Sequence, residues 1–157
     1  MFKKKKIILL ALFLLVTACG FKVLDKSQLI DFKIENIETS GDKKINFFIK
    51  NNLSNKFSAL TGKKSILLNI KTTKTKSIKE KNIKNQITKY EIKLNTVVEI
   101  DILGETQKNL VLNVGGNYDV ATNHSTTINN QNNLEKNLAE RASSTIVKKL
   151  ILLVNDF

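Results

Sequence analysis

Residues 89–103 form the longest run in this chain in which apolar and polar residues alternate. The sequence KYEIKLNTVVEIDIL places on one face Tyr90, Ile92, Leu94, Thr96, Val98, Ile100 and Ile102, and on the other Lys89, Glu91, Lys93, Asn95, Glu99 and Asp101. Successive side chains of a strand point to opposite faces of a sheet, so this period of two predicts a half-buried strand. Such a strand needs an apolar layer on one side only and leaves its polar side to water or to a polar partner.

The first half of the chain predicts two further strands and a helix. Alternation over residues 29–38, with Ile30, Phe32 and Ile34 on one face, predicts the first strand. Apolar residues at every fourth position predict a helix over residues 43–57, with cap candidates in the Ser40-Gly41-Asp42 sequence before it. Residues 65–78 predict the second strand. The polar residues 78–89 predict a loop or a mobile strand tip.

The last third of the chain predicts a turn, a fourth strand, a loop and a helix. Residues 103–108 have the composition of a turn, and alternation resumes from Leu110 to Val120, with a bulge expected at Gly115-Gly116. The polar residues 123–133 predict a loop. An apolar stripe predicts a final helix over 133–153, with Asn132 and Glu135 as a cap pair.

This order of elements predicts the fold class. A strand, crossover helix and strand in sequence place two strands in parallel, whereas a short turn makes strands three and four antiparallel. Each helix has a single apolar stripe and each strand a single apolar face. We therefore expect an α+β fold, a four-stranded mixed sheet with two helices packed on one face, in the order β-α-β-β-β-α.

The N-terminus has the pattern of a secretory signal peptide. Lysines 3–6 precede an apolar run over residues 7–16, and small residues precede Cys19. The run is about ten residues long, whereas a membrane-spanning helix needs roughly 20. We therefore expect residues 1–18 to be a signal peptide and residues 19–157 to be a single periplasmic domain. A buried core helix is the alternative, which the four lysines and the Cys-Gly pair fit poorly.

Cys19 is the only cysteine of the chain, and it lies at the end of this segment. The sequence Val16-Thr17-Ala18-Cys19 resembles the bacterial lipobox. The resemblance implies cleavage before Cys19, a diacylglycerol on its thiol and an acyl chain on the new amine. More than one chain gives durable anchoring without a spanning helix. Gly20, where inner-membrane lipoproteins carry aspartate, points to the outer membrane.

The chain is strongly basic even without its signal peptide. Of 26 basic residues four lie in the signal, and the 22 that remain exceed the 14 acidic residues by 8. An excess of positive charge favours an anionic partner, such as a phosphate-bearing lipid. A general lysine bias of the sequence explains the excess equally well. Nucleic acid is disfavoured because the basic stretches lack interleaved aromatic residues.

The sequence predicts no enzyme, no cofactor and no metal site. His124 is the only histidine and lies in a polar stretch, where a solvated role is the simplest interpretation. Ser125 is adjacent in sequence, which does not by itself create a catalytic triad. Glu99 and Asp101 are interpreted as surface charges on one strand. If Cys19 is acylated, it provides no thiolate nucleophile or zinc ligand.

Several stretches together resemble the LPS-assembly lipoprotein family, LptE. They are LVTACGFKVL, TKYEIKLNTVVEI, LGETQK, GGNYDVATNHST and NNLEKNLAERASSTIVKKLI, in this order along nearly the whole chain. The resemblance implies a helix-on-sheet lipoprotein of the outer membrane that lies in the lumen of a large β-barrel, LptD. It also implies that the chain helps deliver lipopolysaccharide to the outer leaflet.

Six lysines at and after the end of the second predicted strand are the best candidates for phosphate contacts of such a lipid: Lys71, Lys74, Lys76, Lys79, Lys81 and Lys84. Lysine acts on phosphate as a compact point charge. An ordinary solvated loop is the alternative interpretation. Two other functions stay open at this point, an accessory or pilot lipoprotein of another envelope transporter or secretin, and an envelope hydrolase.

Overall fold

The computed structural model of the chain describes residues 32–57, 62, 64–102 and 107–155. Within these residues the elements are β1 (Phe32–Gly41), α1 (Lys43–Phe57), β2 (Lys64–Lys81), β3 (Ile87–Ile102), β4 (Gln107–Asp119) and α2 (His124–Asn155). The strands form one sheet in the order β1-β2-β3-β4, with β1 and β2 parallel and the other neighbours antiparallel. The expected α+β fold and its element order are confirmed.

Both helices cover the same side of the sheet. The even-numbered residues of β2 and β3 point to this side, and Ile66, Ile70, Ile92 and Ile100 are fully buried there. They pack with Ile45, Ile49 and Leu53 of α1 and with Leu138, Ala142 and Ile146 of α2. Each buried aliphatic side chain contributes roughly 1.5–3 kcal/mol, so this layer is the main source of stability.

The two helices run in the same direction, side by side. Lys44 Nζ donates to Asn132 Oδ1 near their N-terminal halves (2.6 Å), and Lys56 Nζ donates to Ser144 Oγ further along (3.3 Å). No helix in the described part of the chain has both the length and the hydropathy needed to span a membrane.

The turn from β1 into α1 depends on Gly41 and Asp42. Gly41 has a φ of 93°, and a Cβ atom on it would lie 2.1 Å from the backbone oxygen of Thr72. Only glycine fits this combination of positive φ and close backbone approach. Asp42 Oδ1 accepts from the backbone N–H of Ile45 (2.9 Å), so Asp42 caps α1, as one of the expected candidates.

The hairpin of β2 and β3 extends well beyond β1. The last pair of β1 with β2 is Gly41 with Thr72, whereas β2 continues to Lys81 and β3 begins at Ile87. Residues 82–86 alone form the turn, in which Asn85 has a φ of 60°. Of the two alternatives for residues 78–89, the structure has a strand tip rather than a long loop. We call residues 77–89 the hairpin tip.

Three predictions about the last third of the chain were wrong, and the first two concern the start of the final helix. Residues 124–133 are helical, because α2 begins at His124, and Asn123 Oδ1 accepts from the N–H of Ser125 (2.8 Å) as its cap. This part of α2 is largely exposed, so it lacks the apolar stripe that marks a helix in a sequence. Asn132 and Glu135 lie inside the helix and do not cap it.

The predicted bulge at Gly115-Gly116 was also wrong. β3 and β4 pair in continuous register through these residues. The space at Gly116 is taken by α2 instead, since a Cβ atom there would lie 2.7 Å from Cδ1 of Leu134. Register shifts occur at Glu35 in β1 and around Lys79 in β2.

The first strand differs from its prediction in bounds and in pattern. It runs to Gly41 rather than to residue 38, and residues 29–31 lie outside the described part of the chain. The shift at Glu35 interrupts the alternation, so that Phe32 and Ile37 are buried and Ile34 is only partly buried.

Candidate functional site

The six predicted lysines divide between three surroundings. Lys71 lies on the face of the sheet opposite the helices, because it follows the buried Ile70 and precedes the buried Thr72. Lys74 and Lys76 continue the buried-face register of β2 and point toward α2. Lys79, Lys81 and Lys84 belong to the hairpin tip. The six lysines therefore do not form one cluster.

Lys74 is a member of an ion-pair cluster between the sheet and both helices. Its Nζ lies 2.9 Å from Asp42 Oδ2 and 3.2 Å from Glu135 Oε1. Glu135 Oε2 also lies 2.7 Å from Lys44 Nζ, and Gln131 Nε2 donates to Oε1 (2.9 Å). These contacts join the N-terminus of α1, the middle of α2 and β2 at one point.

Burial and ion pairing have opposite effects on the pKa values of Glu135, Asp42 and Lys74. Burial by itself raises the pKa of Glu135, but the hydrogen bonds from Lys44, Gln131 and Lys74 outweigh it, and the pKa lies below its usual value. The same balance lowers the pKa of Asp42, which accepts from Ile45 N–H and Lys74. Burial lowers the pKa of Lys74, yet its two carboxylate partners raise it overall. All three groups are therefore charged at neutral pH.

Lys76 lies over a pair of tyrosine rings. Its Nζ is 4.2 Å from the ring centroid of Tyr90 and 5.4 Å from that of Tyr118, and the two rings stack at 5.5 Å. Gln131 Oε1 accepts from Lys76 Nζ (3.0 Å) and from the Tyr118 hydroxyl (2.9 Å). A cavity of about 370 Å³ opens between these groups and the first turns of α2, including His124.

The hairpin tip exposes apolar side chains beside ammonium groups. Ile83 is fully exposed in the turn and Ile78 is 51% exposed. Lys81 Nζ donates to Asn85 Oδ1 within the turn (3.0 Å), and the part of the chain that the structure describes offers Lys84 Nζ no side-chain partner. The tip thus combines positive charge with exposed aliphatic surface.

The outer face of the sheet, opposite the helices, carries a network of charges across three strands. Glu91 lies between Lys79 (3.6 Å) and Lys93 (3.1 Å). Lys89 lies between Glu80 on β2 (3.3 Å) and Asp119 on β4 (3.6 Å). Surface pairs of this kind add little stability each, so their main effect is a hydrated, polar surface.

Uncharged polar pairs continue this surface away from the tip. Asn95 Nδ2 donates to Asn113 Oδ1 (2.8 Å), and Asn69 Nδ2 donates to Glu99 Oε2 (3.2 Å). Val111 is the exception, with 57% of its surface exposed. The polar outer face that the alternation predicted is confirmed.

The residues that the sequence analysis considered for catalysis lie on different elements of the fold. His124 and Ser125 are in the first turn of α2, and Glu99 and Asp101 are on the outer face of β3. The described residues contain no group of three or more histidine, cysteine, aspartate or glutamate side chains placed to hold a metal ion. Cys19 lies outside the described residues.

Sequence reasoning missed Lys44, Gln131 and Glu135 as members of the polar groups around Lys74 and Lys76. The sequence predicts a loop at Gln131 and a cap at Glu135, and neither prediction places a side chain against the sheet. A signal was present for Glu135, since it lies three residues before Leu138 and thus on the apolar stripe of the final helix. A carboxylate on such a stripe indicates a buried charge with partners.

The fold is similar to those of several bacterial lipoproteins of known structure. One is rare lipoprotein B of Shewanella oneidensis, with a TM-score of 0.59 and 10% identity over 77% of this chain and 97% of that one. Another is a minor lipoprotein of Acinetobacter baumannii, with a TM-score of 0.58 and 13% identity over 78% of this chain and 93% of that one. A third is lipoprotein B of Nitrosomonas europaea, with a TM-score of 0.50 and 10% identity over 80% and 86%.

No protein-family model matches the chain, and no curated protein matches it. At these levels of identity, the structural similarities establish the fold alone.

Proposed function

We propose that this chain is a lipid-anchored protein of the outer membrane that lies in the lumen of an LptD-like β-barrel and assists the delivery of lipopolysaccharide to the outer leaflet. The single observation that carries the proposal is the one-sided packing of the helices, which leaves the outer sheet face polar. The lumen of a wide barrel is polar and water-filled, so a domain seated in it needs such a surface.

Three further observations support the proposal. The sequence before Cys19 has the lipobox pattern, which would attach the domain to a membrane by lipid. Three proteins that share its fold bear the name lipoprotein. The large positive excess of the sequence suits a phosphate-bearing lipid.

The hairpin tip is the part of the fold best suited to contact lipopolysaccharide. Lys81 and Lys84 would meet its phosphates, and the exposed Ile83 would meet acyl chains. Lys74 is a poorer candidate because both of its carboxylate partners are within 3.2 Å. In this proposal the protein acts by binding and positioning, without catalysis and without a cofactor.

Co-purification tests the proposal. The tagged full-length chain, extracted from membranes in mild detergent, should bring down a large outer-membrane barrel protein in about equal amounts. Asn113→Arg, which places a charge in the middle of the outer face, should weaken this association, whereas Asn137→Arg on the exposed surface of α2 should not. Recovery of only an inner-membrane transporter would contradict the proposal and favour an accessory role in another envelope machine.

A further inference from the structure

Helix α1 is a positively charged element without an acidic residue. Its fifteen residues include four lysines and no aspartate or glutamate. Lys44 is engaged with Glu135 and Lys56 with Ser144. Lys43 and Lys50 are exposed, and the described residues provide neither ammonium group with a partner. Positive charge on this side of the domain is therefore available for an external anion.

Phe47 lies between these two lysines on the outside of α1. It follows Lys43 by four positions and precedes Lys50 by three, so the three side chains share one face of the helix. We call them the α1 face. The ring of Phe47 is 61% exposed and is supported edge-on by Phe48, with ring centroids 5.9 Å apart. Among the described residues, Phe47 is the aromatic side chain most open to solvent.

The outer face of the sheet is close to neutral by comparison. β3 and β4 expose there the carboxylates of Glu91, Glu99, Asp101 and Asp119 and the ammonium groups of Lys89 and Lys93, and β2 adds Lys71, Lys79 and Glu80. An anionic surface would therefore attract the α1 face more strongly than this sheet face. The charge distribution orients the domain as well as attracting it.

We propose that the α1 face docks on the surface of a bilayer that contains anionic phospholipid. On surface-bound helices, exposed phenylalanine rings insert at the boundary of headgroups and acyl chains, and lysines near an anionic leaflet each strengthen binding by roughly fivefold. A face of one ring and two lysines binds weakly alone. It suits a domain that is already held close to a membrane.

The proposed lipid anchor at Cys19, on which this step rests, would provide that proximity because only a short segment precedes β1. Residues 20–31 separate Cys19 from Phe32, and twelve residues span at most about 40 Å when fully extended. A domain tethered over this distance meets the membrane at a high effective concentration. The docked state leaves the outer sheet face free, so it describes the anchored domain before a protein partner engages that face. This inference does not depend on a barrel partner.

Tryptophan fluorescence tests the orientation, because the chain has no natural tryptophan. Phe47→Trp reports on the α1 face, and Val111→Trp, at a residue of similar exposure, reports on the outer sheet face. Each full-length variant is placed in phosphatidylcholine vesicles with or without phosphatidylglycerol, and bromine-labelled phosphatidylcholine serves as the quencher.

The expected result is a blue-shifted emission of the Phe47→Trp variant with phosphatidylglycerol and roughly twofold stronger quenching than without it, while the emission of the Val111→Trp variant stays unchanged. Adding Lys43→Gln and Lys50→Gln to Phe47→Trp should remove the dependence on phosphatidylglycerol.

Three results would overturn the proposal. One is equal emission of the Phe47→Trp variant in both kinds of vesicle. Another is stronger quenching of the Val111→Trp variant than of the Phe47→Trp variant. The third is emission of the Phe47→Trp variant that is already blue-shifted without vesicles, since another segment or a second copy would then cover the face.

Discussion

The ammonium group of Lys74 on β2 lies 3.2 Å from the carboxylate of Glu135 on α2, whose side chain is 1% exposed. This ion pair crosses from the sheet to the helix layer at the level where β1 has ended. Lys44 and Asp42 extend it to the start of α1. The polar cluster thus fixes the two helices relative to the part of the hairpin that projects beyond β1.

Glu135→Gln should destabilise the fold by about 1–3 kcal/mol, because it leaves Lys44 and Lys74 without their shared buried carboxylate. The free energy of unfolding, measured in denaturant, checks this value. Glu140→Gln is the matched control, since Glu140 lies on the exposed surface of the same helix and should change stability by less than about 0.5 kcal/mol. Equal effects of the two changes would show that Glu135 is not buried among charges.

Stability should fall at acidic pH because of the same carboxylates. The pKa values of Glu135 and Asp42 are lower in the folded state than their ordinary values of 4.5 and 3.8. Their contribution is therefore present above those values and is lost as the pH falls through the lower folded pKa values. Unfolding measured from pH 7 to pH 3 should show a steeper loss for the wild type than for Glu135→Gln. Parallel curves would mean that Glu135 titrates as it does in the unfolded chain.

The raised pKa of Lys74 has the opposite consequence. Its contribution is present below the ordinary value of 10.5 and is lost only as the pH rises through the higher folded value. The ion pair therefore stabilises the fold across the whole neutral range.

Gly41→Ala should destabilise the protein by about 2–4 kcal/mol, since it adds both an unfavourable positive φ and a clash with the backbone of Thr72. Gly115→Ala provides the comparison. A Cβ atom there would lie 3.4 Å from the backbone oxygen of Ile92, so the cost should stay within about 1 kcal/mol. Thermal unfolding of both variants measures the difference. A tolerated Gly41→Ala would contradict the turn geometry.

Lys81→Gln and Lys84→Gln should each weaken binding of lipopolysaccharide by up to about fivefold, without changing stability. This factor corresponds to the loss of one exposed ion pair, which contributes ~1 kcal/mol. Lys74→Gln should lower stability and leave lipopolysaccharide binding unchanged, because the ammonium group of Lys74 already has two carboxylate partners. Binding by the full-length protein, measured with immobilised lipopolysaccharide at two salt concentrations, separates the two kinds of lysine. Lys136→Gln is the neutral control. Weaker binding by Lys74→Gln alone would place the contact at the ion-pair cluster.

Cys19→Ala should release the protein from membranes while the domain stays folded, because the proposed lipid would provide anchoring and not core packing. Fractionation of cells, combined with protease resistance of the soluble fraction, measures both effects. Retention of the variant in the membrane fraction would show that another segment anchors it.

The periodicity of the sequence was sufficient to predict the sheet and its one-sided helix layer. In β3 the alternation is unbroken from Ile92 to Ile102, and the even residues are the buried ones. A period of two fixes which face is apolar, and the helix layer has to cover that face. This is why the polar outer face, on which the proposed function rests, was predictable.

The ends of elements and the long-range polar contacts were harder to predict. The first turns of α2 are stabilised by its cap and by the contacts of Gln131, not by a continuous apolar stripe. The register shift at Glu35 depends on the pairing of β1 with β2, which the pattern of β1 alone does not contain. The hydrogen bond between Lys74 and Glu135 joins residues 61 positions apart, and the local periodicity of the sequence contains no information about such pairs.

The central claim is that the outer sheet face is seated against a large outer-membrane barrel. Photo-crosslinking in cells tests it most directly, with a benzophenone amino acid at Asn113 on the outer face and at Asn137 on α2 for comparison. We predict a crosslink from position 113 to a single large barrel protein of the outer membrane. A crosslink to no protein, or only to proteins of the inner membrane, would contradict the account.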